Sequence, residues 1–77
     1  MEKETSQLNS LSGTVSQRVT ESLKTAIIMG EYEPGQQLKM KDLVARFGTS
    51  QIPIREALQQ LQGEGLITII PQRGAQV

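Results

Sequence analysis

The sequence predicts a small, mainly α-helical domain that ends in a β-hairpin, with three helices followed by two strands. Its 77 residues allow one compact unit with one modest core. Apolar residues recur at helical spacings in three successive stretches, and a short β-branched run follows them near the C-terminus. With one Phe, one Tyr and no Trp, this core is expected to be aliphatic.

The first helix is expected to follow a polar lead-in. Residues 1–13 lack hydrophobic periodicity and end in Gly, so we expect a flexible N-terminal segment before a domain over residues 14–77. Thr14 and Gln17 have the spacing of a capping box, which predicts that the helix begins there. It is expected to extend to about Met29 and to be terminated by Gly30. Its apolar face is formed by Val15, Val19, Leu23, Ala26 and Ile27.

The second helix follows a turn at Pro34-Gly35, where Pro restricts one dihedral angle and Gly is free to adopt positive φ. The three- and four-residue spacing of apolar side chains predicts a helix over 40–47 that ends at Gly48. Its apolar residues are Met40, Leu43, Val44 and Phe47. This helix is therefore short and has one buried face.

The third helix begins almost at once, with Ser50 as its N-cap and Pro53 in its first turn, where the missing N–H has no intrahelical partner to lose. It is expected to end at about Gly63. Because so few residues separate the two helices, residues of about 40–62 match a helix-turn-helix pattern. Helical spacing is followed by Ile54, Ala57, Leu58, Leu61 and Gly65, and a helical projection places Ile54, Leu58 and Leu61 inward.

The C-terminal stretch of about 66–77 has the pattern of a β-hairpin. Residues 66–70 form a short apolar segment rich in β-branched side chains, and residues 71–74 are typical of a turn. Residues 75–77 can then pair with the first segment as a second strand. A hairpin beside a helix-turn-helix is a wing, so the fold predicted is a winged helix-turn-helix.

In such a fold the second helix of the motif presents its N-terminal part to the major groove of DNA. Arg55, Gln51 and Gln59 are candidates for base edges, since Arg can fork to guanine and Gln can pair with adenine. Ile52 is placed to touch a thymine methyl group. The alternative is that Arg55 only pairs with Glu56 or Gln59 on a solvated helix face.

The hairpin and the second helix add contacts to the DNA backbone. Arg73 is suited to phosphate or a narrow minor groove, and Gly74 beside it is expected at the hairpin tip, where it allows close approach of the backbone. Lys41, near the start of the second helix, is a candidate phosphate contact. Lys39 and Arg46 are expected to be ordinary surface cations.

Composition excludes several other functions. The chain has no Cys and no His, so it lacks the usual nucleophiles and bases as well as metal-ligand clusters, and we predict no enzyme activity, no metal and no cofactor. The absence of Cys fits a reducing compartment, so a cytoplasmic location is expected. No apolar run approaches the roughly 20 residues of a membrane span, so we expect a soluble protein. The net charge of zero argues against nucleic-acid binding, although residues 36–77 carry five cations against three acids.

The run from Pro34 to Val77 closely resembles the N-terminal domain of the GntR family of bacterial transcription regulators. Arg-Glu-Ala-Leu (55–58), Glu-Gly-Leu-Ile (64–67) and Arg-Gly-Ala (73–75) look most like its FadR-type branch. By position, the resemblance implies DNA contacts at Lys41, Ser50, Gln51, Ile52 and Arg55, and at the wing near Arg73 and Gly74. Gln51 stands where such proteins usually have Arg, so an adenine preference is expected there.

The resemblance further implies a homodimer that binds double-stranded DNA at a palindromic operator. A separate C-terminal effector domain, absent from this chain, would supply the dimer contact and bind a small metabolite, often a carboxylic acid. Two alternatives stay open from the sequence. One is a winged-helix module that binds protein, which neutral charge supports, and the other is a DNA-binding head joined to an enzyme-like C-terminal domain.

Overall fold

The computed structural model describes residues 2–77, with side chains from residue 15 onward. It consists of three helices and a three-stranded antiparallel sheet, which confirms the winged helix-turn-helix predicted from the sequence. In the described part of the chain, no helix is both long and apolar enough to cross a membrane. The elements are α1 (Glu2–Ile28), β1 (Gln37–Leu38), α2 (Met40–Phe47), α3 (Gln51–Gly63), β2 (Thr68–Ile70) and β3 (Gly74–Gln76).

The start of α1 differs from the prediction. The helix begins at Glu2 and continues through Thr14, so the capping-box start at Thr14 is wrong. Residues 2–13 contain no Pro, and their one Gly costs a helix only about 1 kcal/mol, so nothing in this stretch forbids helical backbone. The side chains of residues 1–14 lie outside the described residues, and the flexibility expected for 1–13 stays a prediction.

The core lies between α1 and α3. The predicted apolar face of α1 is correct, since Val19 and Leu23 are fully buried against the predicted inward face of α3. Burying one such aliphatic side chain stabilises a fold by about 1.5–3 kcal/mol. The fully or nearly fully buried residues of α3 are Pro53, Ile54, Ala57, Leu58 and Leu61. The α1–α3 interface is therefore the platform that holds α3 in place.

The turn between α2 and α3 follows the sequence prediction closely. Gly48 adopts left-handed backbone with φ 63°, and its N–H donates to the carbonyl oxygen of Val44 at 2.9 Å, which closes α2. Ser50 is the N-cap of α3 in extended backbone, but its hydroxyl makes no capping hydrogen bond. The hydroxyl of Ser50 thus stays at the exposed start of α3.

The sheet has the order β1-β3-β2, so the last strand in sequence lies in the middle. Ala75 of β3 is paired with Leu38 on one side and with Ile69 on the other. Leu38 is 2% exposed and Ala75 is fully buried. β1 was not predicted from the sequence, because a two-residue strand has no periodicity and its partner is distant along the chain. This strand ties the predicted hairpin to the segment before α2.

Candidate nucleic-acid interface

An open groove of about 700 Å³ lies between the N-terminus of α2, the exposed face of α3 and the β2–β3 hairpin. Six of the eight site residues predicted from the sequence line it, namely Lys41, Gln51, Arg55, Gln59, Arg73 and Gly74. Further lining residues are Gln37, Lys39, Met40, Leu58, Ile69, Ile70, Pro71 and Gln72. The fold therefore brings together residues that are more than thirty positions apart in the sequence, from Gln37 to Gly74.

The exposed face of α3 forms one wall of this groove. Gln51, Arg55 and Gln59 are spaced one turn apart and are all exposed, because the opposite face of the helix is buried against α1. The guanidinium Nη2 of Arg55 donates to Oε1 of Gln51 at 3.1 Å. Ser50 and Ile52 lie beside the groove and do not line it, although Ile52 is 65% exposed.

The hairpin turn places Arg73 on the opposite wall. The backbone N–H of Arg73 donates to the carbonyl oxygen of Ile70 at 3.0 Å, with Pro71 and Gln72 between them. Residues 70–73 therefore form a turn in which Pro71 is the second residue. The third residue, Gln72, has a positive φ of 64°, as the third residue of a type II turn does. The amide Nε2 of Gln37 donates to the carbonyl oxygen of Arg73 at 3.0 Å. β1 thus anchors the hairpin that carries Arg73.

Gly74 is not at the hairpin tip, and this corrects the predicted position. It is the first residue of β3 and has φ 93°. A Cβ added there would lie 2.1 Å from the carbonyl oxygen of Leu38, so the contact that excludes a side chain is within the sheet. The left-handed residue of the turn itself is Gln72. Approach of the Gly74 backbone to DNA stays a prediction, whereas its role in strand packing is visible in the structure.

Lys39 is a groove residue that sequence reasoning assigned to ordinary surface. It occupies the N-cap of α2 and precedes Lys41 by two positions, so both cations lie at the positive end of the helix dipole. A second Lys beside a predicted helix start is the signal that would have identified it. The N-terminal end of a helix also favours an anion through its backbone N–H groups and dipole.

The groove is cationic although the chain is neutral overall. Lys39, Lys41, Arg55 and Arg73 line it, and among the described residues no carboxylate does. Outside the groove, Nζ of Lys24 lies 3.0 Å from Oε1 of Glu64. Hydrogen bonds from Gln60 and then Lys24 lower the pKa of Glu64 from its usual value. Cationic side chains are therefore concentrated in the groove, although the chain as a whole carries no net charge. Net neutrality does not argue against an anionic ligand in the groove.

Arg46 has a structural role that was not expected. Arg46 forms an ion pair with Glu31, and the hydrogen bond between them raises the pKa of Arg46. The guanidinium of Arg46 also lies 5.4 Å from the ring centroids of both Tyr32 and Phe47. Arg46 therefore fastens α2 to the segment after α1, on the side of α2 away from the groove.

Comparison with known proteins gives the same fold and one family. The family model for bacterial regulatory proteins of the gntR family matches residues 15–77. The HTH-type transcriptional repressor GlaR of Escherichia coli K12 is 42% identical over 55 residues, which is 71% of this chain and 25% of that protein. The chain spans about a quarter of the length of the curated relatives it matches.

Two solved structures superpose well. A GntR-family transcriptional regulator from Pseudomonas syringae pv. tomato DC3000 has a TM-score of 0.72 at 36% identity, over 82% of this chain and 27% of that one. The NTD of AraR, solved in complex with mutant ORR3, has a TM-score of 0.74 at 28% identity, over 82% of this chain and 91% of that one. With a family model that matches residues 15–77, this chain belongs to the gntR family of bacterial regulatory proteins, as a winged helix-turn-helix domain.

Proposed function

We propose that the chain binds duplex DNA in a sequence-specific manner, as the DNA-reading domain of a transcription regulator. The observation that carries the proposal is the cationic groove between α3 and the hairpin in a chain of zero net charge. The N-terminal part of α3 enters the major groove, where Gln51, Ile52 and Arg55 face base edges, and Gln59 follows one turn further along the helix. The match to the gntR family model and the names of the relatives, HTH-type transcriptional repressors, support this function.

Backbone contacts come from both sides of α3. At the N-terminus of α2, Lys39 and Lys41 bind a phosphate of the DNA backbone. At the start of α3, the hydroxyl of Ser50 donates to a neighbouring phosphate. From the hairpin turn, Arg73 reaches the adjacent DNA backbone or the minor groove. Gly74 contributes by keeping the hairpin against β1, as its close approach to Leu38 indicates. This assignment requires no metal and no cofactor.

The proposal extends to the regulator that contains this domain. The motifs at 55–58, 64–67 and 73–75 favour the FadR-type branch, with a C-terminal effector domain that binds a small metabolite and forms a homodimer in the cytoplasm. Two heads would then bind a palindromic operator at half-sites separated by about one helical turn, roughly 34–36 Å. A single head would bind more weakly than the dimer, because linked heads gain from effective concentration.

Salt-dependent binding tests the proposal. Duplex selected from a random library is titrated with the chain at several salt concentrations, and the slope of log affinity against log salt is compared for variants. Lys39→Ala and Lys41→Ala are each expected to reduce this slope by about 0.9, the value for one phosphate contact. Lys24→Ala removes the same charge outside the groove and is the matched control. Absence of binding to any duplex, or an equal effect of Lys24→Ala, would contradict the proposal.

A further inference from the structure

Gln51 and Arg55 lie one helical turn apart at the start of α3 and are hydrogen-bonded to each other. Nη2 of Arg55 donates to Oε1 of Gln51 at 3.1 Å, and both side chains are exposed in the groove. A guanidinium has only donors, so the amide atom that faces it has to be the carbonyl oxygen. The contact therefore sets the orientation of the Gln51 amide.

This orientation changes what Gln51 offers to a base. A Gln side chain pairs with adenine by accepting from N6 through its oxygen and donating to N7 through its NH₂ group. In this chain the oxygen already accepts from Arg55, so the paired contact that adenine requires would have to form around this hydrogen bond. The remaining N–H groups of Arg55 are all donors. The guanidinium therefore matches a base edge that presents acceptors, as guanine does with O6 and N7.

We propose that Gln51 is a positioning residue that holds the Arg55 guanidinium in place for guanine and does not itself select adenine. The inference rests on the proposed DNA-binding function and replaces the adenine preference expected from the residue type alone. A guanidinium that is held before DNA arrives loses less conformational freedom on binding. Gln59 lies one turn to the other side of Arg55 and, in the described part of the chain, forms no hydrogen bond with it.

A double-mutant cycle on the selected duplex tests the coupling. Gln51→Ala is expected to weaken binding about 2- to 13-fold, the range for one hydrogen bond, and to reduce the preference for guanine. In the Arg55→Ala background the same change is expected to have no effect, because the group that Gln51 positions is gone. Gln59→Ala is the matched control, with losses that add to those of Arg55→Ala.

Conservative variants separate positioning from a structural role. Gln51→Glu keeps an acceptor for Arg55 and is expected to retain the ratio of guanine to adenine affinity, even where repulsion from phosphate lowers both affinities. Gln51→Met has similar length but no such acceptor, and this ratio is expected to fall. Because Gln51 is exposed, both variants should melt like the parent chain by circular dichroism.

Two results would overturn the inference. Additive losses from Gln51→Ala and Arg55→Ala, or adenine enriched at one base of the selected site and lost in Gln51→Ala, would show that Gln51 reads a base independently. In either case the proposed function stands and only the assignment of Gln51 fails. Failure of the parent chain to enrich any sequence would instead overturn the proposed function and this inference with it.

Discussion

Replacing Gly74 by Ala is expected to disrupt the sheet at the junction of β1 and β3. The added Cβ would lie 2.1 Å from the carbonyl oxygen of Leu38, inside the 3.0 Å that real Cβ atoms keep, and 3.3 Å from Cα of Lys39. Both nearby atoms belong to backbone, so no flexible side chain can move aside. β1 and β3 would have to separate, which exposes Leu38 and Ala75, now 2% and 0% exposed.

The expected cost has two parts. Positive φ costs a non-glycine residue about 1–2 kcal/mol, and overpacking adds typically about 1–3 kcal/mol, so Gly74→Ala should lower the free energy of unfolding by about 2–5 kcal/mol. Gly30 is the matched control, because its φ of 86° is close to the 93° of Gly74 but nothing lies within 4 Å of an added Cβ. Gly30→Ala should therefore cost only the first part, about 1–2 kcal/mol.

Urea unfolding followed by far-UV circular dichroism measures both variants. The difference between their free energies of unfolding isolates the cost of the clash with Leu38. Gly74→Ala should also have a lower Tm than Gly30→Ala, by about 4–8 °C for each kcal/mol of that difference. Equal losses for Gly74→Ala and Gly30→Ala would refute the reasoning, since the carbonyl of Leu38 would then not constrain position 74. DNA affinity measured at a temperature where both variants are folded would show whether the displaced hairpin also weakens binding.

Three further predictions concern stability. Leu61→Ala should lower the free energy of unfolding by about 2–5 kcal/mol, because Leu61 is fully buried. Ile52 is 65% exposed, so Ile52→Ala should change the free energy of unfolding by less than about 0.5 kcal/mol. The midpoints of urea unfolding measure both, and equal midpoints for the two variants would contradict this assignment of the core. Gln72→Gly should raise the free energy of unfolding by about 0.5–1 kcal/mol, since glycine removes the strain of φ 64°; an unchanged or lower Tm would argue against strain there. Because the pKa of Glu64 is lowered from 4.5, its ionised form stabilises the fold above that pH, and this contribution is lost as the pH falls through the lowered pKa. Glu64→Gln should flatten that acid-dependent loss in urea titrations, and a parallel pH profile would contradict the assignment.

Local patterns predicted most of the helical framework. The bounds of α2 agree with the predicted 40–47, because the apolar spacing of its residues and the left-handed Gly48 are both properties of neighbouring residues. The inward face of α3 follows in the same way from helical spacing. The start of α1 could not be predicted equally well, since the Thr14 pattern is compatible with both a helix start and a helix interior.

The other missed features depend on residues distant in sequence or on a choice between partners. β1 exists because Leu38 meets Ala75, and Gly74 needs to be glycine because of the Leu38 carbonyl. The sequence suggested Glu56 or Gln59 as a surface partner for Arg55, and the structure shows a hydrogen bond to Gln51, one turn earlier on α3. The position of Lys39 in the groove likewise requires the hairpin to be placed opposite the start of α2.

The central position of β3 has a consequence for how the domain folds. The helices pack through contacts that form early along the chain, but β1 and β2 have no partner in the sheet until residues 74–76 arrive between them. Because residues 74–76 follow all three helices along the chain, the sheet is expected to form after the helices during synthesis, and the anchored hairpin with it. A nascent polypeptide that has emerged only to residue 73 would hold α3 in place without an organised wing, and would gain its complete groove in a single late step.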